Sequence, residues 1–236
     1  MTNKRDRKTQ AWLQRDQLIL ETARDLLSEE GVAAISMQVI AERTEYSKGT
    51  IYQHYQCKED VIAKLVIHCG HNLVSAIDSV IKDSHSLRLN VFLVSAAFFI
   101  NAKQQPQVAA LVSQVKAPEF QGKISHAHRE ELADIDNSIL NQVISLFSES
   151  QEVPQDKVRT AAFGWWAMKW GVQDVLTNNW ELSKLGFDHP IVFFADSLNV
   201  FLDGLGLAKD EQTESLSQVL QLATELITQN NNNENT

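Results

Sequence analysis

The stretch "SMQVIAERTEYSKGTIYQHYQCKED", residues 36–60, carries two short apolar-periodic segments on either side of a polar break. Ser36 stands as an N-cap before Met37, Ile40 and Ala41, and Ser47 stands as one before Ile51 and Tyr55. The break, Thr44 to Tyr46, has the length that joins two helices in a helix-turn-helix, whose second helix can enter a major groove. All three tyrosines of the chain lie inside this stretch and all ten phenylalanines follow it. Phenolic, basic and small residues are gathered here, and the bulky apolar ones are stored elsewhere.

The chemistry of the stretch suits a nucleic acid. Helix starts at Ser36, Met37 and Gln38 and at Ser47 offer backbone N–H groups to phosphate. Gly49 has no side chain to hold the backbone away from a partner. Lys48, Thr50, Tyr52, Gln53 and His54 place donors around the outer face, while Ile51 and Tyr55 face a small core. Lys58 opens the next helix, where a cation opposes the helix dipole and a bound phosphate would compensate it.

Outward from this stretch the pattern is helical. In "DQLILETARDLLSEEG", Leu18, Ile19, Ala23, Leu26 and Leu27 form one apolar face, and Gly31 is a C-terminal stop. Residues 58 to about 82 read as a long fourth helix, and Pro106, Pro118, Pro154 and Pro190 divide the remainder into helix-length segments. No period-2 pattern is long enough for a strand, and the Asn-rich end, residues 230–236, reads as a tail.

Net charge is −9, which by itself argues against nucleic acid, but its distribution matters more. Residues 1–55 hold eight basic and eight acidic side chains, so the whole excess lies after them. A basic segment, Lys4 to Lys8, opens the chain. Two cysteines are too few for a disulfide framework and fit a reducing compartment. The longest apolar runs, "VFLV" and "AAFFI", are too short to span a bilayer, and no charged leader precedes an apolar h-region. The expected location is the cytoplasm.

In order and spacing, "ILETARDLLSEEGV", "IAERT", "SKGTIYQHY" and "KEDV" resemble the TetR family of bacterial transcriptional regulators. The resemblance covers the first fifty to sixty residues. It implies a homodimer whose two recognition helices read a palindromic operator. It also places Lys48, Gly49, Thr50, Tyr52, Gln53, His54 and Lys58 at DNA-contacting positions, with Ser36, Met37 and Gln38 near phosphate. Two departures stand out. The turn, usually Ala-Gly-Val, reads Thr44-Glu45-Tyr46, so a left-handed Glu45 would cost roughly 1 kcal/mol. Cys57 is a poor cap for the fourth helix, a loss of about 0.5–2 kcal/mol.

The resemblance implies that residues 60–230 bind a ligand and dimerise. In "TAAFGWWAMKWGVQDVLTNNW", Ala161, Gly164, Met168, Gly171 and Val175 share a stripe, with Trp166, Trp170 and Asp174 roughly opposite. A second stripe runs through Ile191, Phe194, Ala195, Leu198, Phe201, Leu202 and Leu205. Two such helices per subunit would form an intersubunit four-helix bundle; the competing reading makes both stripes internal core. The Trp166–Trp170–Asp174 line reads as a pocket wall for a lipophilic cation, with Phe92, Phe98 and Phe99 as further lining; a neutral apolar ligand suits them equally. His68, Cys69 and His71 lack a clear third metal ligand, and His126 and His128 fall on different helix faces, so no metal is expected. Gly70, in mid-helix, permits either a bend or close packing.

The expectation is therefore an all-α protein. A three-helix helix-turn-helix domain with a basic N-terminal arm occupies residues 1–57, a larger helical ligand-binding and dimerisation domain 58–229, and a disordered tail 230–236. The expected function is a dimeric repressor released from DNA by a small apolar or amphipathic effector. The competing reading is a DNA-bound scaffold that recruits a protein and takes no small effector. The partners expected are double-stranded DNA, a second copy and an effector. No membrane, cofactor or catalysis is expected, since no nucleophile–base order or metal-ligand run is present.

Overall fold

The computed structural model describes residues 4–82, 84–177 and 182–234. The first three residues of the expected N-terminal domain and the last two of the expected tail lie outside them. In chain order the helices are α1 Lys4–Glu30, α2 Met37–Thr44, α3 Lys48–His54, α4 Lys58–Val80, α5 Leu87–Gln104 and α6 Pro106–Lys116, then α7 Pro118–Gln121, α8 His126–Glu149, α9 Val158–Thr177, α10 Pro190–Gly204 and α11 Leu216–Glu234. No strand occurs among the described residues. The chain forms two compact units, Met1–Cys69 with Pro106–Ala133 and Gly70–Gln105 with Asp134–Thr236, so α4 and α8 contribute to both.

In the first unit, α1 buries Ile19, Leu20, Ala23, Leu26 and Leu27; Leu18, expected in that face, is exposed instead. The basic segment Lys4–Lys8 is not an arm but the opening turns of α1. It contains no Gly or Pro, and Asp6 lies in the favourable first turn. Gly31 ends the helix at φ 84°, where its missing Cβ matters. Ser36 caps α2 by accepting the Val39 N–H (3.2 Å), and Ser47 caps α3 by accepting the Thr50 N–H (3.1 Å). Met37, Ile40, Ala41, Ile51 and Tyr55 are buried beside the α1 residues. Arg43 bridges α2 to α1, pairing with Glu29 at 2.8 Å and Glu30 at 2.5 Å.

Between α2 and α3, Glu45 adopts φ 57° and ψ 22°, and the next N–H, that of Tyr46, donates to Ala41 O at 3.1 Å. A left-handed L-residue is strained there while glycine is not. Glu45→Gly is expected to stabilise the fold by about 1 kcal/mol, read as a higher urea midpoint at unchanged slope. An unchanged or lower midpoint would show that the turn carries no such strain.

In the second unit, α5 is buried all round from Leu87 to Phe98, which makes it the central helix. Trp165 on α9 is fully buried, and its Nε1 donates to Ser95 Oγ on α5 (3.0 Å). Proline opens α6, α7 and α10, where its missing N–H costs nothing. Gly70 serves close packing: a Cβ there would lie 2.9 Å from Ile135 Cγ2 on α8. The expected tail is helical as far as Glu234, because extending α11 is cheaper than starting a new helix.

Candidate nucleic-acid interface

Six of the residues selected from sequence meet in one open concavity of about 380 Å³. Ser36, Met37 and Gln38 come from the start of α2, Lys48 and Tyr52 from α3, and Lys58 from the start of α4. Gln56, Cys57 and Glu59 complete its lining. Lys48 Nζ donates to Gln38 Oε1 (3.2 Å), which ties α3 to α2. Gly49, Tyr52 and Gln53 are exposed beside it, while the Thr50 hydroxyl lies 2.9 Å from Ser47 Oγ at the cap. Two helix starts with two lysines can hold backbone phosphates, leaving the outer face of α3 to read base edges.

Two of the selected residues are corrected. Met37 is buried, so only its backbone can serve at the start of α2. His54 turns inward with its side chain 1% exposed, its Nδ1 3.2 Å from Asp16 Oδ1 and its ring stacked on Trp12 at 4.4 Å between centroids. As the last residue of a two-turn helix it faces α1, whose extension through Trp12 the sequence pattern did not reveal. The available signal was Trp12 and Asp16, one turn apart on a single helical face. His54 therefore positions α3 against α1, and its side chain is not available on the outer face.

Behind it the rings continue. Tyr55 lies 6.5 Å from His54 and 6.2 Å from His128, centroid to centroid, and His128 Nδ1 is 2.8 Å from Asp60 Oδ1. Burial, then the Asp16 carboxylate, push the Tyr55 phenol far above its ordinary pKa, so it stays neutral. Buried Asp60 also accepts the N–H groups of Ser125 (2.8 Å) and Gln56 (3.4 Å). The Gln56 bond supports the start of α4, where the Cys57 sulfur also meets the backbone N–H groups of Asp60 and Glu59, and the Cys57 Sγ donates to Lys123 O (3.4 Å). Burial raises the Cys57 pKa and keeps it a thiol.

In the second unit the expected pocket wall is already filled. Buried Lys169 places Nζ 4.3 Å from the Phe98 centroid, 4.9 Å from Trp166 and 4.1 Å from Trp170. A cation of the protein's own occupies the aromatic faces expected for a lipophilic cation, one turn after Trp166 and next to Trp170 in the chain. Phe92 is buried, Phe98 packs edge-on against Trp165, and Phe99 against Phe194. Asp174 is partly exposed on the same helix.

The two stripes proposed for dimerisation split. Ala161, Phe194, Ala195, Leu198 and Leu202 are core of their own subunit, and Gly164 accommodates Phe201 of the same chain, a Cβ there falling 2.9 Å from the ring. Gly171 is exposed with open space beyond it, and Met168, Val175, Ile191, Phe201 and Leu205 are partly exposed. The outward apolar face instead centres on Phe163, 69% exposed, and Val200, 73% exposed, with Val192 and Phe193. On α9 the exposed line runs through Phe163, Ala167 and Gly171, of which only Gly171 belongs to the expected stripe. Among the described residues no group of three or more His, Cys, Asp or Glu is placed to hold a metal, and no helix is long and apolar enough to cross a membrane.

This geometry defines a helix-turn-helix unit joined to an all-helical second unit. Residues 19–65 match the family model described as "Bacterial regulatory proteins, tetR family". Over 61 residues the chain is 33% identical to the HTH-type transcriptional repressor Rv3405c of Mycobacterium tuberculosis, a match covering 26% of this chain and 32% of that protein. The chain thus spans about a third of the length of the curated relatives it matches. A tetR-family regulatory protein from Rhodococcus RHA1 superposes with TM-score 0.59 at 18% identity, covering 83% of this chain and 98% of that one. FadR from Bacillus subtilis, solved in complex with stearoyl-CoA, gives 0.58 at 19% identity over 80% and 98%. Salmonella enterica GusR gives 0.58 at 23% identity over 82% and 95%. The helix-turn-helix segment is thus similar to that of TetR-family regulators, and the chain shares the fold of these solved structures.

Proposed function

We propose that the protein is a dimeric, DNA-binding transcriptional repressor of the cytoplasm, released from a palindromic operator by a small effector. The observation that supports it most is the gathering of Ser36, Gln38, Lys48, Tyr52 and Lys58 around one concavity, inside the segment that matches the family model. Lys58, Lys48 and the helix starts take phosphate; Thr50, Gln53 and Lys48 lie nearer base edges. The exposed face of α9 and α10 joins two subunits, so that two recognition helices read two half-sites. α4 is continuous from Lys58 to Val80, a path along which an effector can act. Release then requires the effector to bind the DNA-free conformation more tightly than the DNA-bound one.

The test is a gel shift on DNA upstream of the protein's own gene, titrated with salt. Lys58→Ala is expected to weaken all sequences about equally and to reduce the salt slope by roughly 1 per half-site. A changed base preference would remove Lys58 from the phosphate set. Gln53→Ala is expected to relax selection at one base position; a profile identical to the parent's would remove Gln53 as a reader.

A further inference from the structure

We propose that the second unit binds a neutral, polyhydroxylated small molecule of sugar size in a cavity walled by the end of α4, the start of α5 and one face of α8. As the effector it rests on the repressor reading; as a binding site it stands independently. The cavity holds about 820 Å³, within the range of small-molecule sites.

Its lining sets the chemistry. Ser138, Asn141, Gln142 and Ser145 present hydroxyls and amides at helical spacing along α8, opposite a small apolar strip that includes Leu87. No lysine or arginine is among the described lining residues, which leaves an anion uncompensated, and the amide-rich wall does not suit an acyl chain. Glu149 and Glu152 also belong to the lining, and their carboxylates can accept hydrogen bonds from hydroxyls, so the spermidine arm of the test separates a cation from a polyol.

Two lining side chains carry a buried polar atom without a hydrogen-bond partner among the described residues, Gln142 Oε1 and His85 Nδ1. The Gln142 amide cannot flip to resolve this, because its Nε2 donates to the Asp78 carboxylate. Its oxygen therefore calls for a donor from the cavity. His85 is held in place as well: the Asn90 amide clamps the preceding segment, accepting the Lys82 N–H (3.1 Å) and donating to Lys82 O (2.9 Å). A hydroxyl is donor and acceptor at once, so it satisfies Gln142 and His85 in either imidazole tautomer. A ring bearing several hydroxyls meets the α8 stripe and sets its C–H face on the apolar strip.

The experiment is calorimetric titration and thermal shift on the full chain with glucose, galactose, lactose, sucrose and myo-inositol, beside spermidine and oleate as contrasts. At least one neutral probe is expected to bind at one site per chain and raise the melting temperature saturably. Ser145→Trp fills the cavity from an exposed helix position, and Gln142→Met removes the amide; each is expected to weaken that probe at least tenfold with helix content unchanged by circular dichroism. The proposal is overturned if no neutral probe binds at about 10 mM. It is equally overturned if binding survives both substitutions, or if only spermidine or oleate is displaced by them. DNA binding is read separately: its absence sinks the repressor reading and leaves the binding site untouched.

Discussion

For the proposed dimer, Val200→Asp is expected to yield a monomer at micromolar concentration and to lower affinity for the proposed operator by about a hundredfold or more. In the isolated subunit Val200 is 73% exposed, so an aspartate there costs the fold little. At a two-fold interface the substitution occurs twice, and each carboxylate is taken out of water without a partner, at several kcal/mol apiece. One monomer reads only a half-site, so operator affinity falls with the dimer. Sedimentation velocity beside circular dichroism is the check. Phe163→Asp should behave the same way. Gly164→Leu is the wrong probe, because a side chain there strikes Phe201 of its own subunit and damages the fold directly. A helical Val200→Asp protein that stayed dimeric when dilute would place the interface elsewhere.

Arg88→Met is expected to destabilise the second unit by roughly 3 kcal/mol, a fall of about 10 °C in melting temperature. Arg88 is buried at the start of α5 and ties it to α10 and the segment that follows. Its Nε donates to Ala208 O (2.9 Å), Nη1 to Asn199 Oδ1 (2.9 Å) and Nη2 to Leu207 O (3.1 Å), and Nη2 also pairs with Asp203. Methionine keeps much of the volume but leaves two carbonyls and an amide oxygen without their donor, at about 1–3 kcal/mol for each one buried. The Asp203 pair adds less, since that carboxylate is half exposed. The proposed DNA binding should persist at low temperature, because Arg88 lies outside the helix-turn-helix. A loss below about 1 kcal/mol would show the network to be replaceable by solvent.

The helix-turn-helix was legible because it is local. Ser36 and Ser47 mark two helix starts, Gly31 one end, and the caps form as their side-chain chemistry dictates. The strained turn was legible for the same reason, Glu45 standing where a left-handed residue is needed. What the sequence could not settle is which partner a face meets. The resemblance places His54 at DNA, whereas Trp12, about forty residues earlier, claims its ring. Periodicity finds an apolar stripe but does not say whether another helix of the same chain covers it; Leu198 and Phe163 lie on adjacent helices, one buried and one exposed. The Lys169 cage is closed by Phe98 from another helix, and the polar cavity along α8 depends on residues far apart in sequence; amides and serines on a helix read as a solvated face until a wall stands opposite them.

The most direct test is to incubate the purified full-length protein with sheared genomic DNA of its source organism, wash at graded salt, and sequence what is retained. The account predicts fragments sharing one inverted repeat, with retention falling steeply as salt rises despite the net charge of −9. Retained fragments with no common two-fold motif, or no retention even at low salt, would contradict it.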